Sequence, residues 1–320
     1  MLDRLIEDGR IAVDGISGTS AGAINAAVMV SGLAAGGPDG AREALARFWQ
    51  RMSEASAVSP LQRTPFDRMT GYLRGDPWSF DRSPSYFFFD VLTRFASPYE
   101  LNPLNYNPLK DIVAETVDFE AVRAYRDLRL FVSATNVHSG KIRVFPGAEL
   151  TLDAVMASSC LPQVFHAVEI DGAPYWDGGY MGNPPLFPLL DGSRAADTIL
   201  VQVNPVERHE TPRTAREILN RLNEITFNAT LMRELGTIDF VNRQIDAGRL
   251  DSNRFGRVLM HCISAEPAVG TLSDSSKLNA EWEFICHLRD AGRAAAGEFL
   301  AAHFDDLGRR ATFDIAALLR

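Results

Sequence analysis

Apolar and polar residues follow one another along this chain in short blocks, and each block predicts an element. Residues 1–9 read as a helix that stops at Gly9. Ile11-Ala-Val13 and Ile16 predict a short buried strand. Gly18 to Gly22 is a tight turn. From Ala21 to about Leu33 small and apolar residues predict a helix, ended by Gly32 and the Ala-Gly-Gly-Pro breaker at 35–38. Residues 40–52 suit a second helix.

The next block has no clear period. Residues 60–108 hold many prolines and aromatics, among them Phe66, Trp78, Phe80, Tyr86, Phe87, Phe88, Phe89 and Phe95. A stretch this long without regular structure is uncommon in a compact domain unless it serves a function, such as a lid. Tyr86 to Phe95 is read as a lid or acyl-chain wall, against the plainer reading of core residues in a helix or strand. Regular pattern returns at 107–124. Leu128 to Thr135 predicts a strand, with Lys141 to Phe145 its hairpin partner across His138-Ser-Gly140. A helix follows at 151–159. Val168 to Trp176 reads as a hairpin turning at Asp171-Gly172. Thr198 to Val203 is a buried strand.

After Pro205 long helices dominate, at about 214–248 and 276–302, with one strand, Val258 to Ile263, between them. Strands alternating with helices predict an α/β fold with a mainly parallel sheet. Residues 206–320 form a mostly helical extension packed on a unit at 1–205.

Composition narrows the function. A formal net charge of -9 leaves no excess of Lys and Arg to bind phosphate, which argues against a nucleic-acid partner. It also disfavours broad docking onto anionic lipid. Cys160, Cys262 and Cys286 have no regular spacing, so neither a disulfide framework nor a zinc site is expected. They are read as free thiols in a reducing compartment. The start MLDRLIEDGR lacks the apolar region of a signal peptide. Asn25, Ser31 and Gly32 interrupt the longest apolar run, short of the ~18 residues that span a bilayer. A cytoplasmic protein with transient contact at a membrane surface is the expectation.

The chemistry centres on Gly18-Thr-Ser20-Ala-Gly22, which fits Gly-x-Ser-x-Gly. Its setting matters more than the pattern: an apolar strand precedes it and an apolar helix follows, the context of a nucleophile elbow. Glycines two positions either side of Ser20 let neighbouring backbone pass without a Cβ. The helix then directs its N-terminus at the serine, and the Ala21 N–H is a natural oxyanion donor. The alternative is a plain strand-to-helix turn with Ser20 as cap.

A serine hydroxyl needs a base. The histidines are unconvincing. His261 lies inside an apolar strand and reads as core; His209, His287 and His303 fall in charged surroundings; His166 reads as a loop residue or a cleft-lining donor. Asp177-Gly178-Gly179, just after Tyr175-Trp176, ends a predicted strand with two glycines that let the backbone turn and leave the carboxylate facing a cleft.

Ile16-Ser-Gly-Thr-Ser20-Ala-Gly-Ala-Ile-Asn25, Ala157-Ser-Ser-Cys-Leu-Pro162, Ile170-Asp-Gly-Ala-Pro-Tyr-Trp-Asp177-Gly-Gly and Asn183-Pro-Pro together resemble the patatin-like phospholipase family of the bacterial type, over about residues 1–205. The resemblance implies a three-layer α/β/α sandwich. It implies hydrolysis of lipid acyl esters with Ser20 as nucleophile and Asp177 as general base, with no histidine between them and no cofactor. An aspartate with an ordinary pKa near 3.9 is a weak base, and partial burial would raise it. The family places a first strand and a Gly-rich, Arg-containing loop upstream of the elbow. This sequence begins at Met1-Leu-Asp-Arg-Leu-Ile, within the helix after that loop, so the strand at 11–16 is expected at an edge or beside a gap in the sheet. Two other functions remain open: a non-catalytic lipid- or protein-binding protein that keeps the elbow as structure, and a carboxylesterase or thioesterase for small acyl groups.

Overall fold

The computed structural model describes the chain except residues 58–62, 74, 82, 192–194, 204–205, 209–210, 252–253, 270–271 and 273; at 87, 89, 90, 94, 216, 267, 268, 274 and 277 it describes the backbone alone. It opens with α1 (Leu2–Asp8), which stops where Gly9 takes a left-handed φ of 70°, the conformation glycine adopts at no steric cost. The strand after it starts later than the apolar pattern suggests. β1 is Gly15–Gly18, and Ile11 to Val13 run outside it.

α2 (Ala21–Ser56) combines the two helices expected at 21–33 and 40–52, folded across a kink at Gly36, Gly37 and Pro38. Gly32 lies so close to Gly40 that a Cβ there would meet the Gly40 carbonyl oxygen at 2.5 Å. The first half of α2 is long and apolar enough to satisfy a length-and-composition test for crossing a membrane. Here that surface is core: Ala23, Ala26, Ala27 and Val28 are fully buried against the sheet. Small side chains let the helix approach closely, so Ala27→Leu would cost about 1–3 kcal/mol through overpacking.

The aperiodic stretch contains three helices, a correction to its reading as irregular. α3 (Pro65–Tyr72), α4 (Pro84–Phe95) and α5 (Pro98–Leu101) each begin with proline in the first turn after Thr64, Ser83 or Ser97. Proline has no N–H to lose in that turn and its fixed φ suits it. Thr64 and Ser97 also close capping boxes with Asp67 and Glu100. α6 (Pro108–Thr116) and α7 (Phe119–Ala124) then lead into the sheet.

β2 (Arg129–Asn136) is the hub. β3 (Ile142–Pro146) pairs antiparallel along one edge from Phe131 to Thr135. β1 pairs parallel with Arg129 to Val132, and β5 (Ala173–Asp177) pairs antiparallel with Ala134 to Asn136. Because β3 occupies one edge over the same residues, β1 and β5 share the other. They lie end to end along it and run toward each other. Gly18 is opposite Val132 and Asp177 is opposite Ala134, so the C-terminal ends of both strands meet beside Ser133. α8 (Leu152–Ser158) packs on this junction, and β4 (Val168–Ile170) completes the hairpin with β5. The turn is the expected one, with Asp171 and Gly172 both at positive φ.

α9 (Phe187–Leu190) leads to β6 (Asp197–Gln202), which pairs parallel with β7 (Leu259–Ser264) after α10 (Ala215–Asp246). α11 (Glu266–Val269), α12 (Trp282–His303) and α13 (Ile315–Leu318) complete the helical C-terminal region. The fold is mixed α/β with helices around a central sheet. The central sheet is itself mixed rather than mainly parallel, because β3, β4 and β5 fold back as hairpins. Among the described residues β1 is an edge strand, and β6–β7 is a separate pair. A cleft of about 2560 Å³ separates β1 from β6, walled by Leu186, Ile199, Leu231 and Ile285. The sequence boundary expected near 205 falls outside the described residues.

Candidate active site

The turn after β1 holds Ser20 in a strained shape. Ser20 has φ 55° and ψ -126°, a combination that L residues rarely adopt. Such backbone costs about 1–3 kcal/mol and persists only where neighbours over-determine it. Here the neighbours are polar and buried. The Ser20 N–H donates to Ser158 Oγ at 3.0 Å, and Ser158 is fully buried. Thr19 Oγ1 donates to the Gly182 carbonyl at 2.8 Å and lies 2.7 Å from Ser133 Oγ. Gly18 sits where a Cβ would meet the Gly22 carbonyl oxygen at 2.6 Å, so the first elbow glycine is required by close approach. No atom would meet a Cβ on Gly22, whose role is not steric.

The Gly22 and Ala23 N–H groups bond to the Thr19 and Ser20 carbonyls. The Ala21 N–H is the remaining donor of that turn, at the positive end of α2. Asn25 steadies the turn, donating to the Ala21 carbonyl while accepting from Trp49 Nε1.

Asp177 arrives from the opposite direction and is fully buried. Its N–H donates to the Cys160 carbonyl at 2.8 Å, and its carbonyl accepts from Thr135 Oγ1 at 2.8 Å. Gly179 N–H donates to Oδ1 at 2.7 Å. Oδ2 is buried with no partner at ordinary hydrogen-bond distance. Burial pushes the Asp177 carboxyl up to about 6; the Ser20 hydroxyl and the Gly179 N–H oppose the rise. The Ser20 hydroxyl is near enough to hold the Asp177 pKa down, while Oδ2 is left without a hydrogen-bond partner. An unpaired buried acceptor is costly, and proton transfer from a neighbouring hydroxyl relieves it.

The two glycines after Asp177 are both constrained. A Cβ on Gly178 would lie 2.2 Å from the Ser133 carbonyl oxygen. One on Gly179 would lie 2.2 Å from the Phe227 ring. Phe227 belongs to α10, and its ring also packs against Tyr180 at 4.9 Å. Glu234, one face along the same helix, accepts from the Leu186 and Phe187 N–H groups at 2.7 and 3.0 Å. The C-terminal region thus closes one side of the site. The cleft reaches Ser20, Ala21 and Asn25, with Phe227 and Asn228 beside them.

The histidines lie elsewhere. His261 is fully buried between Asp197 Oδ1 at 2.9 Å and Thr312 Oγ1 at 2.8 Å, which ties β7 to the last turns of the chain. His166 stacks on Tyr99 and donates to the Pro98 carbonyl, so it holds α5. His287 stacks on Trp78, and His303 pairs with Asp306. His209 lies outside the described residues. All three cysteines are free, and burial pushes the Cys160 thiol up to about 12 and Cys262 to about 11. Among the described residues no group of three His, Cys, Asp or Glu side chains forms a metal site.

Sequence reading gave no role to Ser158, Ser133, Thr19 or Phe227. Ser158 stood inside the quoted Ala157–Pro162 block, the one signal available. The others are uninformative in sequence because their partners are more than a hundred, or nearly fifty, residues away. The family model for patatin-like phospholipases matches residues 1–190. No curated protein matches the chain.

Proposed function

The chain belongs to the patatin-like phospholipase family, and from that premise we propose that it is a lipid acyl hydrolase working through Ser20 and Asp177 and an acyl-enzyme intermediate. The observation that carries this reading is the fully buried Asp177 carboxyl, raised to about 6 and close enough to the hydroxyl of strained Ser20 for that hydroxyl to oppose the rise. A base of that pKa is largely ionised at neutral pH, yet far better at taking a proton than an exposed aspartate.

In acylation Asp177 takes the Ser20 proton as Oγ attacks the ester carbonyl. Negative charge collects on the carbonyl oxygen, beside the Ala21 N–H and the N-terminus of α2. Collapse breaks the ester bond, and Asp177 returns the proton to the departing alcohol. The free alcohol leaves, and Ser20 carries the acyl group. Water then enters, gives its proton to Asp177 and attacks the acyl carbonyl. The second collapse releases the acid and restores the Ser20 proton. One carboxyl serves both half-reactions, and its buried site keeps it from ionising too readily.

A fluorophosphonate probe tests the nucleophile. Labelling of the wild type and none of Ser20→Ala is the expected result. Equal labelling of both, or none of either, would exclude an activated Ser20. A series of nitrophenyl esters of rising chain length separates a lipid hydrolase, which prefers long acyl groups, from an esterase for small ones.

A further inference from the structure

Resting on the Ser20–Asp177 reading, we propose that Phe227, a residue of the C-terminal region, is a positioning residue of the reaction: its ring is the wall that keeps water from the Asp177 carboxyl and so makes that carboxyl a base. The ring's place follows from helix periodicity. Leu231, Leu235 and Ile238 are a buried stripe of α10 and pack with Leu186, Leu200 and Met260 in one core. Phe227 lies one turn before Leu231 on the same face, so the packing that seats the helix also aims the ring inward. Glu234 fixes the helix from the side by accepting from the Leu186 and Phe187 N–H groups.

Where the ring lands is set by Gly179. A Cβ at that position would lie 2.2 Å from Phe227 Cε1, 2.4 Å from its Cδ1 and 3.1 Å from Asp177 Oδ1. Ring and carboxylate therefore border the same small space, which the ring can enter only because residue 179 has no side chain. The Gly179 N–H meanwhile donates to Oδ1 at 2.7 Å. Tyr180 backs the ring, with centroids 4.9 Å apart. On its other side Phe227 borders the cleft together with Ser20 and Ala21, whereas Asp177 is fully buried. An aromatic ring gives a carboxylate no N–H or O–H donor. A wall of this kind takes water from the ionised form and puts nothing in its place, which favours the protonated form.

The other groups near Asp177 do not account for its basicity. Burial is the first cause of the raised carboxyl, and the Ser20 hydroxyl and the Gly179 N–H both oppose it. The Cys160 thiol, just after α8, is pushed up to about 12, and burial also raises the Tyr180 phenol, so both are neutral where Asp177 titrates. β2 presents the uncharged Ser133 and Thr135. On α10 Glu224 is paired with Arg208 and Arg221, and Glu169 of β4 is exposed. Desolvation is what remains, and Phe227 supplies it from beyond residues 1–190, the part of the chain that the family model matches.

The test titrates Asp177 directly, by carbon NMR of protein isotopically labelled at the aspartate carboxyls, with Asp177→Asn assigning the resonance. The wild-type carboxyl should titrate near 6. Phe227→Leu, which keeps an apolar cover, should hold it there, and Phe227→Ala should lower it by at least about one pH unit. The lower limb of the pH–rate profile on a water-soluble ester should move by the same amount. Its plateau should fall, because a carboxylate of lower pKa is a weaker base. Phe227→Val should give an intermediate midpoint, and it carries the test if the alanine variant does not fold. A ring that only packs would lower the melting temperature and leave the midpoint unmoved. That result in the alanine and valine variants overturns the proposal, as does a midpoint that moves as far in Phe227→Leu. The two readings fail separately. Ser20-dependent turnover with an unmoved midpoint sinks this inference alone. A midpoint that moves as expected without Ser20-dependent turnover upholds the wall and sinks the proposed chemistry.

Discussion

The junction of β1, β2 and β5 and the 63–106 stretch are both rich in apolar residues, and they place them in opposite ways. At the junction Val132, Ala134, Ser133, Ser158 and Asp177 are all fully buried. Position there is set by backbone at close approach: Gly178 against the Ser133 carbonyl, Gly18 against Gly22. Among the described residues every buried side-chain nitrogen or oxygen but Asp177 Oδ2 and two atoms elsewhere finds a hydrogen-bond partner. Among the described side chains of residues 63–106, Phe66, Phe88, Phe95 and Leu104 stand in solvent, and Phe80 and Tyr86 are buried. A reacting pair needs sub-ångström placement, which dense packing supplies. Side chains that stand in solvent need no such placement. Substitutions should therefore separate the two regions sharply.

The largest contrast is in turnover. Ser20→Ala and Asp177→Asn should each lower ester hydrolysis by at least about 10³-fold, and the double variant should be little worse because the pair acts as a unit. Phe88→Ser should leave hydrolysis of a water-soluble ester within about two-fold, as exposed positions usually do. Steady-state rates on one short-chain ester compare all four, and a comparable loss for Phe88→Ser would erase the contrast.

Glycine replacement comes next. Gly178→Ala drives a Cβ into backbone, which cannot yield, so a loss of about 3 kcal/mol or more is expected in denaturant titration. Gly179→Ala meets the Phe227 ring at 2.2 Å and Asp177 Oδ1 at a looser 3.1 Å. Phe227→Ala should rescue it, with a coupling of about 1–3 kcal/mol in a double-mutant cycle. Additive losses would mean that α10 does not close the site.

The pH dependence follows from the raised Asp177 carboxyl. Turnover should rise with pH through about 6 as the base ionises. Stability should move the other way. The folded group keeps its proton up to about pH 6, whereas the unfolded one loses it near the ordinary 3.8. The folded state binds more protons in that window, so wild-type stability falls as pH rises from about 4 to about 6. The loss is on the order of 2–3 kcal/mol. Asp177→Asn lacks that ionisation, so its melting temperature should gain on the wild type across the same window. A constant difference would place the base elsewhere.

The smallest effects belong to the exposed phenylalanines. Phe88→Ser or Phe95→Ser should change folding stability by less than about 0.5 kcal/mol. A larger loss in thermal melts would mean that these rings are packed after all.

The site was legible where local pattern and local chemistry coincide. A strand, a glycine-flanked serine and a small-residue helix announced the elbow, and a hairpin ending in Asp-Gly-Gly announced Asp177. The hairpin turn at Asp171-Gly172 and the stop at Gly9 were read to the residue, because positive φ leaves a mark in sequence. Of the helices in 63–106, only the one over Tyr86 to Phe95 is among the readings the pattern offers, as the plainer alternative of a helix or strand, although Thr64-Pro65, Ser83-Pro84 and Ser97-Pro98 mark all three starts. After a capping hydroxyl proline begins a helix rather than ending one.

By itself, then, the sequence determined most elements outside 63–106, the α/β class and which serine and which aspartate to consider, since these depend on periodicity and on backbone conformations that few residues tolerate. Only the tertiary structure decided that β1 and β5 meet end to end on one edge of β2, that Ser158 and Thr19 hold the elbow, and that Phe227 covers Gly179. It also decided the pKa of Asp177, because desolvation depends on what surrounds the carboxyl in space. Contacts between residues far apart in sequence, such as Ser20 with Ser158, leave no local pattern to read. They come into being only when strand register fixes which distant segments become neighbours.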